Sequence, residues 1–167
     1  EEKVPEQLAM VFDTKVAQLK EMLRRAGDSI RLLGVFSSSS ARFGRRGQSD
    51  YAAANEVVNK LATEHARRHP ECRTLSFNWG PWDGGMVTAG LAKVFRAEGL
   101  GLIPLGEGVS LALAALARSG ESGSGHVEHV VLAMPVDVAA ERDDATASKG
   151  PAPDGACLLY TSPSPRD

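Results

Sequence analysis

Ile30-Arg31-Leu32-Leu33-Gly34-Val35-Phe36 is a near-continuous apolar run of strand length, and it ends in four serines, Ser37 to Ser40. Such a run suits a strand buried on both faces, as in a parallel sheet. The pattern around it alternates. Upstream, Leu8, Val11, Phe12, Lys15, Val16, Leu19 and Leu23 follow helical spacing and predict a helix over 6–26, stopped at Gly27-Asp28. Downstream, Ser49-Asp50 offers cap chemistry for a helix over 51–68, with Ala53, Ala54, Val57, Val58, Leu61 and Ala62 inward and Pro70 ending it. Strands over 74–78 and 127–132 and helices over 89–97 and 106–118 complete the series. Helix alternating with strand implies βαβ units and a parallel sheet.

Composition narrows the function. The 167 residues are 43% hydrophobic and only 5% aromatic, the profile of an alanine-rich α/β protein. With 21 acidic and 19 basic residues the net charge is −2, which gives no electrostatic footprint for nucleic acid. No apolar run approaches the roughly 18 residues of a membrane span, so no membrane partner is expected. Residues 157–167 resemble the translation of a sequencing-library adapter and are expected to lie outside the fold. Cys72 is then the one remaining cysteine. It forms no internal disulfide, and a reducing, cytoplasmic location is the default.

In open parallel sheets, chemistry sits at the carboxyl ends of strands. Two loops occupy such ends: Ser37 to Ser40, and Asn78-Trp79-Gly80-Pro81-Trp82-Asp83-Gly84-Gly85-Met86. Tyr51 and Asn55, four apart, share a helix face, and Lys15 falls among the apolar positions of the preceding helix. A phenol titrates near pH 10 and becomes a usable general acid beside an ammonium. A serine hydroxyl can hold the oxygen that receives the proton. A Ser, a Tyr and a Lys together suit carbonyl reduction, given a hydride donor.

At these residues the chain resembles the ketoreductase domain of type I polyketide synthases and polyunsaturated fatty acid synthases, within the short-chain dehydrogenase/reductase superfamily. The resemblance rests on Phe36-Ser37-Ser38, Gly44, Gly47-Gln48, Tyr51-Ala52-Ala53-Ala54-Asn55 and Asn78 to Trp82, and covers about residues 5 to 133. Most of the superfamily carries Tyr-x-x-x-Lys, whereas synthase ketoreductases carry Tyr-x-x-x-Asn and take their lysine from an earlier helix.

The resemblance implies roles. Tyr51 would protonate the alkoxide, Lys15 would ease proton release from Tyr51 and hold cofactor ribose hydroxyls, and Ser38 would bind the substrate carbonyl. Asn55 would position Lys15 or a water, and Gly80, Pro81 and Trp82 would border the nicotinamide of NADPH. The substrate would be a β-ketoacyl chain on the phosphopantetheine of an acyl carrier protein, and other domains of the same synthase would be partners. The implied fold is the C-terminal half of a Rossmann-like doubly wound parallel sheet with flanking helices and a helical lid.

No glycine-rich phosphate loop follows a strand in this sequence. Residues 1–138 are therefore expected to be a partial domain lacking its dinucleotide-binding half, inactive alone, with 139–156 as a linker. A non-catalytic ketoreductase-like half is the alternative, disfavoured by retention of Lys15, Ser38, Tyr51 and Asn55. A stand-alone dehydrogenase would carry Lys where Asn55 stands.

His65 and His69, with Cys72 nearby, have possible metal spacing, but they flank arginines on an exposed helix end, and no metal is expected. Arg42, Arg45 and Arg46 read as a solvated surface, or as contacts for cofactor phosphates or an acidic carrier protein. Trp79 and Trp82 read as site lining, and 99–105 as a connector in the lid.

Overall fold

The computed structural model describes residues 5–118, 125–135 and the backbone of 157–163. Its first helical stretch has three parts: α1 (Pro5–Phe12), a π-helical turn (Asp13–Ala17) and α2 (Gln18–Ala26). The single helix expected over 6–26 is thus interrupted. The wide turn carries Lys15 and buries Val16. Then come β1 (Leu32–Ser38), a short α3 (Ser40–Phe43), the long α4 (Ser49–Arg68) and β2 (Arg73–Trp79). After β2 follow α5 (Ala89–Ala97), α6 (Leu105–Ala117), β3 (His126–Ala133) and β4 (Cys157–Pro163).

The sheet order is β1-β2-β3-β4. The first three strands run parallel, with Ser38 level with Trp79 and Trp79 level with Val131. Strand β4 joins antiparallel, with Val130 opposite Tyr160. Residues 157–163, set outside the fold on sequence grounds, are therefore paired with the sheet. The edge of β3 offers unpaired main-chain groups, which any β-prone segment such as Leu158-Leu159-Tyr160-Thr161 can satisfy. The linker expected over 139–156 lies outside the described residues.

Helices cover both faces, as a doubly wound sheet requires. On one face α1, α2 and α4 bury Val16, Leu33, Val35, Ala54, Val58, Ala62 and Cys72. On the other, α6 covers Leu75, Phe77, Trp79 and Val131 with Ala112 and Ala115. Arg73 fastens α6 by donating to the carbonyls of Leu116 (2.7 Å) and Ala115 (2.5 Å) at its C-terminus.

Burial on both faces, expected for β1, falls on β2, where Thr74 to Trp79 are all buried. Strand β1 alternates instead: Leu33, Val35 and Ser37 are buried, while Leu32 and Phe36 are 47% and 56% exposed. The reason is placement. Helix α6 sits over β2 and β3 and reaches β1 only at its tip, where Leu116 Cδ2 lies 3.3 Å from the point a Gly34 Cβ would occupy. The expected cap of α4 also differs. Gln48 stands at the N-cap without a side-chain cap bond, Ser49 and Asp50 are inside the helix, and the Tyr51 amide donates to Asp50 Oδ1 at 2.9 Å. Ala53 points outward.

Candidate active site

Strand β1 delivers Ser38 to the carboxyl edge of the sheet. Its Oγ accepts from the Ser40 amide (3.2 Å) and the Ser40 hydroxyl (2.9 Å), which fixes its direction within the turn that becomes α3. The Ser39 amide donates to the Trp79 carbonyl at 2.8 Å and so locks the ends of β1 and β2 together.

Tyr51 stands near the start of α4 and is half-buried. Lys15 comes to it from the π-helical turn, its ammonium 5.4 Å from the centre of the Tyr51 ring and 3.4 Å from the Phe36 carbonyl, to which it donates. Partial burial holds the Lys15 pKa below the ordinary lysine value, because desolvation disfavours the charged form.

Asn55 does not line the cleft. It lies one turn behind Tyr51, fully buried, with Nδ2 donating to the Tyr51 carbonyl at 2.8 Å. Its backbone carbonyl accepts from Ser37 Oγ at 3.2 Å, and its Oδ1 is buried with no hydrogen-bond partner in the structure. An asparagine inside a helix is unfavourable by propensity. Here its side chain bonds back onto the turn carrying Tyr51, while its backbone carbonyl ties α4 to β1 through Ser37.

The loop after β2 forms the opposite wall. The Gly80 amide donates to the Val131 carbonyl at 2.8 Å. A Cβ at Gly80 would stand 3.2 Å from Leu132 Cδ2 and 3.3 Å from that carbonyl, so glycine permits the close crossing. Ile103 brackets the loop, its amide donating to the Pro81 carbonyl and its carbonyl accepting from the Asp83 amide, both at 2.8 Å. Trp82 packs edge-on against Trp79 with ring centres 4.6 Å apart.

Lys15, Ser38, Tyr51, Gly80, Pro81 and Trp82 thus line one cleft of about 540 Å³. Two hydroxyl groups and an ammonium face an aromatic and glycine-proline wall. That arrangement can hold a carbonyl oxygen by hydroxyl donors and stabilise charge that develops on it.

The basic cluster is largely engaged inside the chain. Arg42 pairs with Glu56 (3.6 Å) and with Glu128. Arg45 pairs with Glu98 (2.7 Å) and lies 4.3 Å from the centre of the Phe95 ring, so it ties the β1–α4 loop to α5 over the cleft mouth. Sequence reasoning missed this contact, since nothing local pairs a loop arginine with a helix so far along the chain. His65 and His69 pack with ring centres 4.4 Å apart and ring planes tilted by 34°, and His69 Nδ1 faces Asp28 at 3.2 Å. Among the described residues no group of three or more His, Cys, Asp or Glu could hold a metal ion. Nor is any helix among them long and apolar enough to cross a membrane.

The sheet order, the crossover helices and a cleft at the strands' carboxyl ends define a short-chain-dehydrogenase type of α/β domain. The KR domain family model matches residues 1–84, a range that includes Lys15, Ser38, Tyr51, Asn55 and Gly80 to Trp82. The chain belongs to the KR domain family of polyketide and fatty acid synthases.

It is 40% identical over 105 residues to a polyunsaturated fatty acid synthase polypeptide of a Thraustochytrium species, covering 62% of this chain and 4% of that protein. It is 35% identical over 127 residues to the pikromycin polyketide synthase component PikAII of Streptomyces venezuelae, covering 74% of this chain and 3% of that one. Among solved structures it is similar to the ketoreductase from the first module of phoslactomycin biosynthesis in a Streptomyces species. There the TM-score is 0.62 at 29% identity, over 75% of this chain and 28% of the other. The chain therefore spans only a small part of these relatives.

Proposed function

We propose that the chain supplies the catalytic half of a ketoreductase that reduces a β-ketoacyl thioester to the β-hydroxyacyl form. The acyl chain would be carried on the phosphopantetheine of an acyl carrier protein within a multidomain synthase. The observation that carries this reading is the convergence of Lys15, Ser38 and Tyr51 on one cleft against Gly80 to Trp82.

The residues present fit the nicotinamide and ribose portion of NADPH. Lys15 makes one long hydrogen bond among the described residues and keeps donors for ribose hydroxyls. The Gly80-Pro81 turn and Trp82 give a flat wall for a ring. When bound, NADPH supplies the hydride.

Ser38 donates to the substrate carbonyl oxygen; its own oxygen accepts from the Ser40 amide and hydroxyl, which leaves its proton available to the cleft that it lines. Tyr51 gives its phenolic proton to that oxygen as negative charge builds on it. The Lys15 ammonium above the Tyr51 ring is the electrostatic partner of the phenolate left behind. The Asn55 side chain braces the turn that carries Tyr51 by donating to the Tyr51 carbonyl, and its Oδ1 is left as a buried acceptor without a partner in the structure.

The sequence carries no glycine-rich phosphate turn, so this chain alone is expected to bind NADPH weakly and to turn over poorly. The test is a purified complete ketoreductase domain, the present chain joined to a dinucleotide-binding half. It is supplied with NADPH and an acetoacetyl thioester. Consumption of reduced cofactor with formation of the hydroxyacyl thioester supports the reading, and no product at high enzyme concentration overturns it.

A further inference from the structure

On the face of the sheet that α4 covers, packing changes character from strand to strand. Over β1 the contact is mainly apolar, through Leu33 and Val35, with one hydrogen bond from Ser37 Oγ to the Asn55 carbonyl. Over β2 and β3 it is polar, and the polar groups close into a ring. Arg42 on α3 pairs with Glu128 on β3 and with Glu56 on α4. Asn78 on β2 donates to Glu128 Oε2 at 3.3 Å. Asn59 on α4 donates to Asn78 Oδ1 at 2.8 Å and to Glu56 Oε2 at 3.3 Å, which returns the ring to Glu56. Asn59 and Asn78 are wholly buried.

Buried polar groups of this kind are weak contributors to stability, since apolar side chains of like volume usually serve as well. The same helix already meets β1 with apolar side chains. What distinguishes the polar region is where its members sit. Arg42 follows Ser38 by one short helical turn, Glu56 follows Asn55, and Asn78 leads into Trp79 and Gly80. The ring therefore joins the three segments that build the cleft and fastens them to β3. Helix α3 has only four residues and little stability of its own.

We infer that Arg42 is a positioning residue: its double carboxylate anchorage holds the Ser38 turn in register with the Tyr51 helix and the Gly80 wall. Arginine suits the task, because its planar fork can reach two carboxylates at once, whereas lysine offers a point charge. This inference rests on the ketoreductase reading.

The test uses the complete domain with Arg42→Met, Arg42→Lys and, as a control, Arg67→Met, which removes an exposed pair with Glu64 on the same helix. Misplacement of reacting groups by about 1 Å costs on the order of a hundredfold in rate. Arg42→Met is expected to lower kcat by about ten- to a hundredfold with KM for both substrates within about twofold. Arg42→Lys is expected to recover part of the loss, and Arg67→Met to match the parent.

Amide hydrogen exchange on the same proteins is expected to quicken at 39–44 in Arg42→Met alone, with the middle of α4 as protected as before. A kcat within twofold of the parent overturns the inference, as does loss of kcat, KM and protection throughout the domain together. If the parent domain reduces no thioester, the ketoreductase reading fails. The exchange comparison then decides the positioning role: faster exchange confined to 39–44 supports it, and unchanged exchange overturns it.

Discussion

His126 makes stability of the domain depend on pH. Its side chain is buried at the start of β3, Nε2 2.7 Å from Ser76 Oγ and Nδ1 2.9 Å from Thr63 Oγ1. Burial lowers its pKa from 6.5 to about 4; Arg42 and Lys60 act in the same direction, and Glu128 and Glu56 oppose. The folded value lies below the unfolded one, so the unfolded chain binds more protons between these limits. The stabilising effect is complete above about pH 6.5, falls as pH drops, and levels below about pH 4.

Between pH 8 and pH 5 this one group accounts for a loss of about 2 kcal/mol. With a urea slope of roughly 1–3 kcal/mol per molar, the unfolding midpoint should fall by about 1 M. The perturbation is His126→Gln, whose amide offers both a donor and an acceptor and does not titrate. Urea unfolding of parent and variant at both pH values isolates the term, because carboxylates elsewhere contribute equally to both. The parent should lose about 2 kcal/mol more than the variant over that interval. Equal losses, to within about 0.5 kcal/mol, would refute the assignment of a buried neutral imidazole.

Two further outcomes follow from packing at the cleft. Gly108→Ala places a methyl group 2.5 Å from the Trp82 ring and 3.0 Å from Ile103 Cγ2. It should cost about 1–3 kcal/mol in urea unfolding and shift the tryptophan emission, and an unchanged midpoint with unchanged emission would contradict the packing described. Arg45→Ala removes both the Glu98 pair and the Phe95 stacking that tie α5 to the β1–α4 loop. Because the pair is partly exposed, stability should change by no more than about 1 kcal/mol. KM for the thioester should rise severalfold as α5 loosens over the cleft, and an unaltered KM would show that α5 does not need the tie.

Much of the frame was legible from pattern. Helix α5 falls at Ala89–Ala97 as spacing predicts, and β2 and β3 extend the expected strands by a residue or so at each end. Periodicity reports local burial: the apolar positions Leu75, Phe77 and Val131 of β2 and β3 are buried, whereas α5 buries Phe95 alone among its residues.

What escaped the sequence depends on partners far along the chain. The one-sided burial of β1 follows from where α6 happens to lie. The π-helical turn at Asp13–Ala17 has no residue signature, since Asp13-Thr14-Lys15-Val16-Ala17 would serve in an ordinary helix. Helix α3 hides within a serine-rich run that reads as loop. The polar ring draws Arg42, Glu56, Asn59, Asn78 and Glu128 from four elements, and its arginine reads locally as a solvated charge. At the candidate site, Lys15, Ser38 and Tyr51 share the cleft, while Asn55 stands behind it, a distinction that helical spacing alone does not make.

The proposed reduction requires the Tyr51 hydroxyl to deliver the proton to the carbonyl oxygen. Tyr51→Phe in the complete domain removes one oxygen and leaves the ring under Lys15 in place. Single-turnover reduction of an acetoacetyl thioester should slow by about a hundredfold or more, while the dissociation constant for NADPH stays within about threefold. Turnover at the parent rate would contradict the role given to Tyr51.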